Sequence, residues 1–184
     1  MRSVDPGWAV WFEAAGRGEV SRRLERVQRG VDARAAGRAV CRNSGRCCRF
    51  DDYGHRLYVS GLEAAWFVRR AAEMGDGAAG GARPGRVPLP QWGQAIEADP
   101  GGCPFQRDRM CTAHAVRPFG CRVFFCDAEG EAWMERLYED AHELVRRLHE
   151  RAGLPYRFGD WRGLLAEASS FFAGHGSPAY LPPR

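Results

Sequence analysis

Two short stretches hold all seven cysteines of this 184-residue chain: "CRNSGRCC" at residues 41–48 and "CPFQRDRMCTAHAVRPFGCRVFFC" at residues 103–126. That clustering constrains the fold more than any other feature. The chain either cross-links itself with disulfides or folds back so that both clusters serve a common purpose. Disulfides need an oxidising compartment, and an odd number of cysteines leaves one thiol over. The N-terminal "MRSVDPGWAVWFEAAG" puts Pro6 and Glu13 where a secretion signal has an unbroken apolar core. No apolar run approaches the roughly 18 residues of a membrane span. The expectation is a cytoplasmic protein with no membrane partner and with reduced thiols. In that setting clustered cysteines are metal ligands or redox groups.

The candidate ligands are Cys41, Cys47, Cys48, Cys103, Cys111, Cys121 and Cys126. Thiolates select soft or borderline metals, here zinc, copper(I) or an iron–sulfur cluster. A closed zinc site takes four ligands, and an iron–sulfur cubane usually takes four cysteines. Seven thiols divide as four plus three, or as one filled site plus spares. In extended chain the adjacent Cys47 and Cys48 point to opposite faces and serve two centres. In a tight turn both serve one, and the sequence leaves the two cases open. For any single thiol the plainer reading is a small buried hydrophobe.

In the second cluster Pro104 and Pro118 break any continuous helix, and Gly120 permits a close turn before Cys121. Val123, Phe124 and Phe125 are expected to form a dry wall that shields thiolates. Cys126 precedes Asp127, a helix-capping residue whose helix N-terminus favours thiolate. His114 is the one histidine inside a cluster and a nitrogen-ligand candidate. His55, His142, His149 and His175 read as incidental. Arg117 and Arg122 flank Cys121, and Arg42, Arg46 and Arg49 flank the first cluster. They are surface arginines, or they offset thiolate charge or bind an anionic substrate.

Around the clusters the pattern is helical. Val20, Leu24, Val27 and Val31 predict a helix over about 19–40 with Arg22, Arg23, Arg26 and Arg29 on its wet face. Trp8, Trp11 and Phe12 are a core anchor. "RFDDYGHRLYVS" reads as two extended pieces about a Tyr53–Gly54 turn. Ser60 and Glu63 form a capping box that opens a helix through about Met74. Residues 75–90, rich in Gly, Ala and Pro, read as a loop within the domain. Trp133, Leu137, Ala141, Leu144 and Leu148 trace the apolar face of a long helix that Gly153 and Pro155 end. Asp160 caps a last helix through about Phe172, with Leu164, Leu165, Ala168, Phe171 and Phe172 buried.

The expected fold is mainly α with short β pieces. Residues 1–184 form one small domain of helices around a cysteine-rich, loop-built metal centre at about 41–126, flanked by an N-terminal helix and two C-terminal helices. At 45% hydrophobic and 27% charged, the composition is that of an ordinary globular domain. All 27 basic residues are arginine and the formal charge is +4. Arginine and acid are interleaved without a basic tail or stripe, which argues against a nucleic-acid partner. Four thiolates on a divalent ion carry a net −2 and remove part of that excess.

These motifs resemble the YkgJ-type cysteine-cluster family, the CxxCxxCC proteins described as a zinc- or iron-chelating domain. The first motif stands here as "CRNSGRCC". The second, C-P-F followed by C-x-x-x-x-x-R-P-x-x-C-R, stands as "CPFQRDRMCTAHAVRPFGCR". The likeness covers about residues 41–126. It implies a centre held by Cys41, Cys47, Cys48, Cys103, Cys111 and Cys121, with Cys126 as a further candidate. Ser44 replaces the motif's second cysteine, and His114 stands where the family often has tyrosine, so His114 or Cys126 is expected to fill the gap or the position stays open. Relatives that methylate lysine on flagellin share the cluster and use an iron–sulfur centre. This chain has no glycine-rich nucleotide fingerprint after a strand, so that activity is not carried over.

Three functions follow, in order. The first is a metal-binding protein holding zinc or an iron–sulfur cluster through split cysteine motifs. The second is a metal-dependent group-transfer or redox enzyme using an open coordination position. The third is a metal-delivery protein. Beyond the metal ion or cluster, the sequence points to no protein partner.

Overall fold

The computed structural model describes residues 7–38, 41, 44–76, 97, 99, 101–125 and 131–175. The loop expected at 75–90 lies almost wholly outside them, as do Cys126 and Asp127. The described chain is a small, mainly helical domain with a few short strands.

Trp8, Trp11, Phe12 and Ala15 recur at helical spacing, and Gly7–Gly16 is the first helix, α1. All four side chains are buried, as expected of a core anchor, with the two indoles edge to face at 5.0 Å. The second helix, α2 (Gly18–Ala35), buries Val20, Leu24 and Val31 and leaves its arginines wet. It stops short of residue 40 because Ala36 turns to ψ 129° and Gly37 to φ +75°.

The stretch expected as two extended pieces begins instead with a helical turn, α3 (Phe50–Tyr53), closed by Gly54 at φ +65°. Only its second part is extended, as β1 (Tyr58–Ser60). The capping box forms as expected. Ser60 Oγ accepts from Glu63 N–H at 3.3 Å, and Glu63 Oε2 accepts from Ser60 N–H at 3.0 Å. The helix it opens, α4 (Gly61–Asp76), is buried almost continuously from Leu62 to Val68 between α1 and the last helix. Its first residue must be small, since a Cβ on Gly61 would come within 2.6 Å of the Trp11 ring.

Further on are β2 (Gln106–Arg107), β3 (Met110–Cys111) and a short helix, α5 (Phe119–Val123). The long α6 (Glu131–Ala152) packs on α2 and ends at Gly153, φ +62°. Its buried face carries Leu137, Ala141, Val145 and Leu148. Leu144, expected on that face, is 48% exposed, and Val145 one step round the helix takes its place. β4 (Phe158–Asp160) pairs antiparallel with β1, Val59 opposite Gly159. Asp160 Oδ2 then accepts from Gly163 N–H at 3.0 Å and caps α7 (Trp161–His175). Among the described residues no helix is long and apolar enough to cross a membrane.

Candidate metal centre

Backbone bonds draw the two cysteine segments together. Cys103 N–H donates to Cys48 O at 2.8 Å, Arg49 bridges Gly102, and Asp51 N–H donates to Gly101 O at 3.2 Å. Gln106 Nε2 adds a bond of 2.7 Å to Gly45 O. Gly45 sits at φ +75°, and a Cβ there would meet Gln106 Nε2 at 2.6 Å, so only glycine lets the first segment lie this close to the second.

Each cysteine has its own local support. Cys47 and Cys48 belong to a single 3₁₀ turn, Arg46–Cys48. Their sulfurs are 3.9 Å apart, close to the ~3.8 Å edge of a tetrahedron with zinc–sulfur bonds of about 2.3 Å. The turn therefore brings the adjacent pair to one side. Cys111 is placed by the β2–β3 hairpin opposite Gln106, and its turn holds Asp108 and Arg109 at positive φ. Cys121 lies on α5, whose first N–H, from Phe119, donates to the buried Glu63 Oε1 at 3.1 Å.

Arg122, 6% exposed, is a brace. Its Nε donates to Arg117 O and one outer nitrogen to Ala115 O, both at 2.8 Å, while the other pairs with Asp32 of α2. It is thus fully engaged with the protein and is not an anion site.

Five thiols, Cys47, Cys48, Cys103, Cys111 and Cys121, line one cavity of about 30 Å³. Phe50, Leu57, Phe67, Phe105 and Trp161 close it with apolar surface, and Arg117 is its one charged side chain. Val123, Phe124 and Phe125, expected as the dry wall, are not on it. Cys48 lies between the sulfurs of Cys47 and Cys103, and either sulfur of the Cys47–Cys48 pair can be the donor. Its thiol is pushed well up by the bonds to Cys103 and Cys47, and those same bonds pull Cys47 down to about 7 and lower Cys103. Burial lifts Cys111 to about 11 and Cys121 far above its usual value. Two buried donors on residues lining this cavity make no well-formed hydrogen bond, Arg117 Nε and Trp161 Nε1, the second in reach of the Cys103 sulfur.

The remaining candidates stand elsewhere. Cys41 is exposed and off the cavity wall. His114 is exposed and also off it. Ser44 Oγ faces Arg46 N–H at 3.4 Å and does not line the cavity. Cys126 lies outside the described residues. His55, read as incidental, stacks on Phe124 at 4.3 Å with its Nε2 towards Cys47 O at 3.5 Å. Sequence reasoning missed Trp161 altogether, since nothing local ties the residue after a helix cap to cavity cysteines 40 and more positions away.

The donor chemistry fits a soft metal: sulfur ligands, a dry wall, and buried N–H groups oriented to negative charge. Among the described residues, however, no three or more His, Cys, Asp or Glu side chains stand in an arrangement that holds a metal ion. The sulfurs share a wall without converging on one point. No family model, no curated protein and no solved structure matches the chain.

Proposed function

We propose that this protein is a cytoplasmic metal-binding protein whose two cysteine segments close around one thiolate centre. The observation that carries the reading is the gathering of five thiols, from residues 47–48, 103–111 and 121, on one largely apolar cavity. Buried cysteines acting only as small hydrophobes have no reason to select each other across the chain, nor to collect unpaired N–H donors beside them. The resemblance of both motifs to the cysteine-cluster family points the same way.

Cys47, Cys48, Cys103, Cys111 and Cys121 are the residues that would hold the metal. A tetrahedral ion takes four of them. We put a single zinc ion first and keep an iron–sulfur cluster as the alternative, since four thiolates suit either. Bound zinc would supply a redox-inert cross-link between the cysteine segments and α5. The protein's own part is to hold the sulfurs, keep water out with Phe50, Phe67 and Phe105, and give up the proton shared at Cys48 when metal enters. Ser44 lies off the cavity, so it lends no support to an enzyme with an open coordination position.

Anaerobic purification with metal analysis and an absorption spectrum tests the proposal. The expected result is one tightly bound zinc per chain and a colourless protein. A brown protein with broad visible absorbance means a cluster. A metal-free protein that takes up neither and stays fully folded contradicts the reading.

A further inference from the structure

We infer that Trp161 Nε1 and Arg117 Nε are hydrogen-bond donors to the thiolate sulfurs of the bound centre. The inference rests on the metal-binding reading above and assigns these two residues the task of holding sulfur in its ionised form.

Trp161 is the first residue of α7 and is 1% exposed. Its backbone N–H donates to Leu57 O at 2.7 Å, and its ring meets Phe67 edge-on at 4.9 Å. The indole is thereby fixed against the cavity, with Nε1 buried, in reach of the Cys103 sulfur but without a well-formed hydrogen bond. Arg117 repeats the arrangement from the other segment. Pro118 restricts the residue before it to extended backbone, and Arg117 has φ −59° and ψ 141°. That conformation delivers the guanidinium to the cavity with Nε buried and unpaired, while an outer nitrogen reaches Asp32 only at 3.9 Å. The Arg–Pro pair so acquires a physical reason.

Native folds rarely leave a buried N–H unpaired. Here two face the same small space, and the acceptors that space offers are sulfurs. A thiol is a weak acceptor, whereas hydrogen bonds to an ionised acceptor are roughly twice as strong as neutral ones. Both donors are therefore poorly satisfied by thiols and well satisfied by thiolates. Trp161 and Arg117 share the cavity wall with the sulfurs of Cys47, Cys103, Cys111 and Cys121. Four thiolates on a divalent ion leave a net −2 in a dry pocket, and one half-buried guanidinium offsets half of it. Such outer partners of metal ligands carry a tenfold to hundredfold share of affinity.

The test is Trp161→Phe, which keeps a buried ring and removes the N–H. Wild type and variant are loaded anaerobically with cadmium. Affinity is read by chelator competition, and sulfur basicity by the thiolate-to-cadmium charge-transfer band. The expected result is binding about 10–100-fold weaker, a band moved to lower energy, and loading that needs higher pH. The metal-free variant is expected to be no less stable than wild type, because an unpaired donor has been removed. A residue with only a packing role gives the reverse: lower metal-free stability with unchanged affinity and band. That outcome overturns the inference. If W161F does not fold, Arg117→Met decides on the same readouts, and unchanged affinity again overturns it. Failure of the wild type itself to bind cadmium, zinc or iron removes the metal reading and this inference with it.

Discussion

Helix α4 and the segment from Gly101 to Val123 are neighbours held in place by different means. From Leu62 to Val68 every residue of α4 is buried, and Trp66 and Phe67 fill the space towards α2 and α7. Its capping box satisfies its first turn locally. The 101–123 segment has two strands of two residues each, two non-glycine residues at positive φ, and three of the chain's cysteines, Cys103, Cys111 and Cys121. Burial alone stabilises the first region. The second leans on a few side-chain braces, chiefly Arg122 and Gln106. An additional cross-link would serve the second region, which supplies three of the five cavity thiols, the other two coming from Cys47 and Cys48.

Removing metal is expected to have the largest effect and to separate the two regions. Structural zinc contributes on the order of 10 kcal/mol in small domains, so a chelator should unfold the cysteine segments first. Cys103→Ser leaves four of the five cavity thiols and should weaken metal binding, measured by chelator competition and by metal content after purification. Next is Leu62→Ala in α4, where a fully buried leucine is lost. It should cost about 2–5 kcal/mol in denaturant unfolding, by the same amount with and without metal. An effect that depends on metal would break the distinction between the regions.

Glu63 joins the regions and supplies a pH test. Burial raises its carboxyl from 4.5 to about 7, against the bonds from Ser60 and Phe119. A raised folded-state value means the folded protein binds more protons than the unfolded chain between those two values. Its share of stability is therefore present at low pH and is lost as pH rises from about 4.5 through 7, by an amount on the order of 3 kcal/mol. Glu63→Gln should remove that slope in denaturation midpoints measured across pH. Smaller still, Gly45→Ala should cost about 1–2 kcal/mol for the left-handed backbone and also weaken metal binding by pushing the segments apart. Ser44→Cys is expected to leave metal content unchanged, because residue 44 is off the cavity. A gain of metal there would return the missing-ligand reading.

Local chemistry was the part of this fold most legible in the sequence. The Ser60–Glu63 box and the Asp160 cap depend on residues three apart, and both form as expected. The exchange of Leu144 for Val145 shows the limit of periodicity: neighbours one step apart on a helix edge are separated by tertiary packing. The turn at Phe50–Tyr53 was misread because its helical form depends on docking to Gly101 rather than on propensity. The cysteine clusters pointed to thiols gathered in space, but not to which of them line one cavity. Cys41 stands apart, and the partners Trp161 and Arg117 are chosen by three-dimensional packing that spacing does not encode.

Hydrogen exchange of the metal-loaded and chelated protein tests the central claim most directly. The account predicts that amides of residues 103–121 and 46–49 lose protection when metal is removed, while those of α4 from Leu62 to Val68 keep theirs. Equal protection of the cysteine segments in both states, or loss in α4 and the segments together at the first step, would contradict it.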